Sequence, residues 1–338
     1  MGASTHKAYF AIVLVSIIIP AYNAAWCLER AVQSALEQTY PTTEIILVDN
    51  CSSDGTPSII ERYATSYPER VMAAYCATPG ASAARNQGLR LARGEWVQFL
   101  DADDTLQTSK IDHQIKELKP GVRWIIGGYC NLFPDGKRTI NLPNEDPWRG
   151  LVFQYRIGNT SANLFHRNAI RAIKGWREDL QMEEDPDLHF RLLQAKTPYQ
   201  FVPEPLANYH HYPSKNRLSQ RNLAEGNLRH LELILAVNEY LRAARRDYWQ
   251  NHKAYFLGAA LRSIRILATY DLGKATEAFQ RLRADPASEW GQTDYELVPQ
   301  LYQIAYPIFG FAATERLRRI IAGILPTSLK QLLKPTAQ

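Results

Sequence analysis

The residues best suited to chemistry in this 338-residue chain are two acidic clusters and one isolated acid. Asp101-Ala102-Asp103-Asp104 follows the apolar run EWVQFL. Side chains two apart in an extended turn can share one divalent cation, or divide between a cation and its ligand, and oxygen donors of this kind suit Mg2+ or Mn2+. A cation left with open positions is most useful where phosphate oxygens complete its shell. The same run is also a common turn and helix-capping sequence. Asp104, followed by Thr105 and a helix near residue 108, fits capping or support better than direct ligation. The second cluster, Glu183-Glu184-Asp185-Pro186-Asp187, opens a helical pattern. Pro186 suits the first helical position and so puts Asp185 at the helix mouth, while Asp187 and Arg191 have the spacing of a helix salt bridge. Acids at a helix start are favoured by its dipole whatever else they do. The isolated acid, Asp49, ends the run EIILVD.

These acids need elements that bring them together. VLVSIIIP (13–20), EIILVD (44–49), VMAAYCA (71–77) and EWVQFL (95–100) predict four strands, separated by helices over 24–39, 57–66 and 80–93, the alternation of stacked β-α-β units. Asn23 is the expected cap of the first helix and Pro57 opens the second. In such sheets ligands bind beyond the strand C-termini at the switch in strand order, so Asp49 and Asp101 are expected to converge. After residue 105 a hairpin is expected at 122–140. A strand (SANLF), a short helix, the helix over EEDPDLHFRLLQA and a strand near YQFVPEP follow, and the chain reads as helical from about 221.

Composition narrows the function classes. Residues 1–225 hold 24 Lys and Arg against 24 Asp and Glu, and residues 226–338 hold 15 against 10. A neutral front half argues against nucleic-acid binding, which requires a basic face. The longest apolar stretch, residues 11–19, is too short to span a bilayer and does not read as a secretory signal. The protein is therefore expected in the cytoplasm. Cys27, Cys51, Cys76 and Cys130 are widely spaced, which suggests neither a disulfide framework nor a zinc site. The turn PAYNAAW lacks the G-x-G-x-x-G of dinucleotide enzymes.

Taken in order, VSIIIPAYN, ILVDNCSSDGT, GASAARNQGLRLARGEWVQFLDADD and MEEDPDLHFRLL resemble the family 2 glycosyltransferases of the GT-A fold over about residues 13–215. The resemblance implies an α/β fold with a Rossmann-like, mostly parallel nucleotide-binding sheet (about 13–105), an acceptor half (about 106–220) and a helical C-terminal region (221–338). It implies an inverting, metal-dependent transfer of one sugar from a nucleotide diphosphate donor, UDP favoured, to a saccharide or lipid-linked saccharide, as in polysaccharide biosynthesis. The processive signature Q-x-x-R-W is absent. By the same resemblance Pro20, Ala21, Tyr22, Asn23 and Asp49 hold base and ribose, and Arg85 and Asn86 lie near the nucleotide. Asp101 and Ala102 contact the ribose side, Asp103 and Asp101 hold Mn2+ or Mg2+ with His211 as a further ligand, Asp185 is the general base, and Trp176 and Glu184 face the acceptor. Two departures stand out: Cys51 and Lys174 occupy positions where glycine is usual. The alternatives are a sugar nucleotidyltransferase, which would want an early glycine-rich phosphate loop, and a non-catalytic sugar-nucleotide module. TERLRRIIAGILPTSLKQLLK (314–334) reads either as a basic amphipathic helix on an anionic membrane or as one packed on its own domain.

Overall fold

A computed structural model describes residues 13–153, 156–212, 223–288 and 295–324. These fall into two compact units, 13–150 with 156–212 and 151–153 with the residues from 223 onward. The first unit is built on strands β1 (Val15–Ala21), β2 (Thr43–Asp49), β3 (Val71–Tyr75) and β4 (Trp96–Phe99), which pair in parallel in the order β3-β2-β1-β4. Helices α1 (Leu28–Leu36), α2 (Thr56–Ser66) and α3 (Ala81–Leu91) connect them. All seven residues of β2 are buried, as a parallel strand covered on both faces requires.

The sheet continues through β8 (Leu164–His166), β6 (Trp124–Leu132), β9 (Tyr199–His210) and β5 (Thr105–Leu106), with β7 (Arg138–Asn141) paired to β6. Parallel pairing holds across the first four strands. β8 then runs antiparallel to both β4 and β6, and β6 runs parallel to β9. Three short helices, α4 (Lys110–Lys116), α5 (Pro147–Val152) and α6 (Arg167–Ala172), precede α7 (Glu184–Gln194).

Several expected boundaries move for physical reasons. The first helix starts at Leu28 instead of 24, because Asn23 adopts φ 46° and cannot take the extended cap conformation. SANLF shortens to a strand beginning at Leu164, since Ser161 and Ala162 lie in a turn whose carbonyls accept from Gln98 and Gln114. α7 begins at Glu184, so Pro186 is its third residue and Asp185 lies inside the first turn.

Among its described residues the second unit holds the helices Leu223–Ala244, Arg246–Tyr270, Leu272–Ala284, Gln300–Phe309 and Phe311–Ile324 and the short helix Pro286–Ser288. None of the described helices is long and apolar enough to cross a membrane.

Candidate active site

β1 lies between β2 and β4, so the strand ends at Ala21, Asp49 and Phe99 are neighbours, and Asp49 and Asp101 stand roughly two strand spacings, about 10 Å, apart. The first two turns are laced together. Asn23 N donates to Ser52 Oγ at 3.0 Å, Ser53 N donates to Asn23 Oδ1 at 2.8 Å, and Ala24 N donates to Thr56 Oγ1 at 2.8 Å. Asn23 thus joins two strand ends and does not cap α1. Pro20 and Ala21 pair with Val48 and Asp49, and Tyr22, 62% exposed, turns an aromatic face outward. Asp49 is buried and accepts from Ser52 N.

The residue after Asp49 is an asparagine because it must donate. Asn50 Nδ2 donates to the carbonyls of Cys76 and Thr78, and its Oδ1 accepts from Gly80 N at 2.7 Å, fixing the entry to α3. A carboxylate has no proton for the first two bonds. Cys51 takes φ 60° and Lys174 φ 65°, so both departures from the family glycine keep the left-handed backbone that glycine would adopt.

Arg85 is the centre of the site. It is buried on α3, donates to Asp101 Oδ1 at 2.7 Å and lies 4.6 Å from the ring centroid of Trp176. Burial opposes its charge, but the carboxylates of Asp101, Asp185 and Glu184 outweigh that and hold the guanidinium above its ordinary value. Its buried Nε has no partner. Glu184 is held above its ordinary value as well, because burial pushes its carboxyl up more than Arg85 pulls it down. The two acidic clusters of the sequence therefore meet around one buried cation. Asp185 Oδ2 accepts from Thr160 N at 2.9 Å, which fixes the carboxylate's rotation.

Trp176 is 2% exposed and packs edge-on against Phe99, so it forms the floor beneath Arg85 instead of an open acceptor wall. Asn86 spends its amide on the same segment, donating to Trp176 O and Glu178 Oε1 and accepting from Trp176 N. A Cβ at Gly175 would meet Asn86 Oδ1 at 2.5 Å, so this clamp needs the glycine. Asp187 pairs with Arg191, which also donates to the carbonyls of Ile173 and Gly175, bracing the turn from below.

On the other side of Asp101, Asp103 is held through its backbone carbonyl, which accepts from Arg30 Nη2 at 2.7 Å and Tyr212 Oη at 3.2 Å. Ala102 lies partly exposed between the two acids. Asp104 is buried and accepts from His210 N at 3.0 Å, tying β9 to the acidic turn and leaving α4 uncapped by it. His211 stacks on Phe133 at 4.2 Å and its Nε2 is 3.0 Å from Asn131 Oδ1, contacts that engage the ring at the end of β6. Among the described residues no group of three or more His, Cys, Asp or Glu side chains is arranged to hold a metal ion. Asp101 and Asp103 supply two carboxylates where Mg2+ takes about six oxygens. Two carboxylates would leave most of such a shell to a ligand's phosphate oxygens and water.

Arg30, Thr160 and Tyr212 belong to the site and were not singled out by sequence. Arg30 looks like any arginine on a surface helix. The polar run Asn159-Thr160-Ser161 carried a usable signal, because three such residues before a strand mark a structured turn.

Residues 16–172 match the model described as glycosyl transferase family 2. Over 102 residues, 30% of this chain and 40% of the relative, the sequence is 45% identical to the Escherichia coli protein named UDP-Glc:alpha-D-GlcNAc-diphosphoundecaprenol beta-1,3-glucosyltransferase WfaP. It is 37% identical over 102 residues, again 30% of this chain, to the succinoglycan biosynthesis protein ExoO of Rhizobium meliloti, of which 29% is covered. The match thus spans less than half of either relative. Among solved structures, S. aureus TarS 1–349 in complex with UDP-GlcNAc aligns with a TM-score of 0.58 over 90% of this chain and 91% of that one, at 15% identity, a likeness of fold.

Proposed function

Because residues 16–172 match glycosyl transferase family 2, we propose that the chain moves one sugar per encounter, with inversion, from a UDP-sugar to a hydroxyl of a saccharide or lipid-linked saccharide in polysaccharide biosynthesis. One observation carries this reading: Arg85 pairs with Asp101 on the donor side and lies in the field of Asp185 and Glu184 at the start of α7. Inverting displacement needs a base and a leaving diphosphate on opposite sides of the anomeric carbon, and two acidic groups arranged about one fixed cation suit that demand. Asp185 takes the acceptor's proton on Oδ1, since Oδ2 is engaged by Thr160 N. Asp49 accepts from the uracil N–H and Tyr22 offers its exposed face to the base. Asn86 positions Trp176, and through it the guanidinium of Arg85, beside the nucleotide.

A divalent cation, Mn2+ or Mg2+, held by Asp103 and Asp101, would supply charge neutralisation to the departing diphosphate. The name of WfaP, with its UDP-Glc donor and diphosphoundecaprenol acceptor, supports the choice of a UDP-sugar and of a lipid-linked saccharide. The glycine-like backbone at Cys51 and Lys174 speaks against a decayed, non-catalytic module, because both turns survive the substitutions.

Thermal-shift titration of the full chain with UDP tests the reading. UDP with Mn2+ should raise Tm more than either alone, GDP and ADP should raise it less, and Asp103→Ala should remove the metal-dependent part. If no nucleoside diphosphate stabilises the protein, the reading fails.

A further inference from the structure

Among the described residues, the helical unit exposes apolar side chains that their own packing leaves uncovered. In the helix Gln300–Phe309 the buried side chains are Tyr302 and Tyr306, whereas Leu301, Ile304 and Ile308, spaced i, i+3 and i+7, are 68, 61 and 66% exposed. Leu317, Ile320 and Ile321 face outward from the helix Phe311–Ile324. The inward side is aromatic and carries one buried polar latch. Buried Glu315 accepts from Tyr306 Oη at 2.6 Å and pairs with Arg265 at 3.3 Å and Arg318 at 2.5 Å, while Arg265 lies 3.7 Å from the Tyr302 ring centroid. Phe311 stacks on Phe279 at 4.5 Å. A helix pair with apolar side chains on its outward as well as its inward side departs from the usual pattern of a surface helix. An exposed patch of this kind marks a contact surface.

Charge selects the occupant. Across residues 296–338 the acids are Glu296, which is exposed, and Glu315, which is buried, against Arg316, Arg318, Arg319, Lys330 and Lys334, the two lysines lying outside the described residues. Arg316 and Arg319 are exposed and, at 100° per residue, fall along one flank of the Leu317-Ile320-Ile321 stripe. We propose that this face docks on an anionic lipid surface, the apolar stripes entering the headgroup boundary and the arginines meeting lipid phosphates. A second copy of the chain fits less well, because it would bring the exposed arginines of both copies to one interface, with Glu296 the one exposed acid among the described residues of 295–324 to pair them. The proposal differs from a simple basic tail: outward leucine and isoleucine supply the insertion, and the arginines supply selectivity.

Flotation of the full chain with vesicles of phosphatidylcholine alone, or mixed with phosphatidylglycerol, tests it. Wild type should partition about tenfold more onto the mixed vesicles, with the preference falling as salt rises. The triple variant Leu301→Ser, Ile304→Ser, Ile308→Ser should lose binding to both, and the double variant Arg316→Glu, Arg319→Glu should lose the preference for anionic lipid. The substituted side chains are exposed, so Tm should hold, and the UDP thermal shift should match wild type in every variant. That second readout separates a failure here from a failure of the transferase reading. No vesicle binding by wild type, equal partitioning by the triple variant, or a wild-type dimer that the triple substitution converts to a monomer without vesicle binding would each overturn the proposal.

Discussion

Single residues here do different work from what their types announce. Asn86, next to the arginine at the centre of the site, acts on a segment 90 positions away, and no local pattern foretells that. Asn50 replaces an acid for want of donors. Cys51 holds a left-handed backbone that costs a non-glycine residue roughly 1–2 kcal/mol. Cys51→Gly should therefore leave urea-unfolding stability within about 1 kcal/mol of wild type, relief of strain being offset by added freedom in the unfolded chain. Cys51→Val should cost more, about 2 kcal/mol, because a β-branched side chain tolerates φ above zero least. A Val variant as stable as the Gly variant would show that the turn is not held in this conformation.

At the scale of elements, the strands were legible because a parallel strand buried on both faces is a near-continuous apolar run. Helix starts were not, since they depend on bonds between distant turns: Asn23 joins the turn after β2, and α7 begins two residues before its proline. The close approach of α3 to β1 is equally invisible in sequence. A Cβ at Gly88 would come within 2.3 Å of Ile18 Cγ2, and Gly88 lies one turn beyond Arg85. Gly88→Ala should push the helix off the strand, cost about 1–3 kcal/mol as overpacking, and weaken UDP binding by moving the guanidinium. Thermal unfolding and calorimetric titration of the same variant check both halves. Loss of stability with unchanged UDP affinity would detach Arg85 from the donor site.

Over the whole molecule, the motif order in the first 215 residues revealed the fold class and most of the site's acids, whereas the centre of the site, a cation ringed by carboxylates from two clusters, emerged only from packing. Proton linkage offers a global readout. Burial lowers His189 to about 3, and burial with Arg30 nearby lowers His210 to about 4, from an ordinary 6.5. The unfolded chain therefore binds protons first as the medium acidifies. The stability these groups contribute is complete above about pH 6.5 and declines as pH falls toward 4. Tm should fall over that window, and His210→Asn should flatten part of the fall. The central claim, that Asp185 is the base of a sugar transfer organised by Arg85, is tested most directly by Asp185→Asn, with UDP affinity and turnover of a panel of UDP-sugars measured on one sample. Asparagine keeps the acceptor for Thr160 N but loses basicity. UDP affinity should stay within about twofold while turnover falls about 10²–10⁴-fold. Turnover near wild type, or affinity and turnover lost together, would contradict the account.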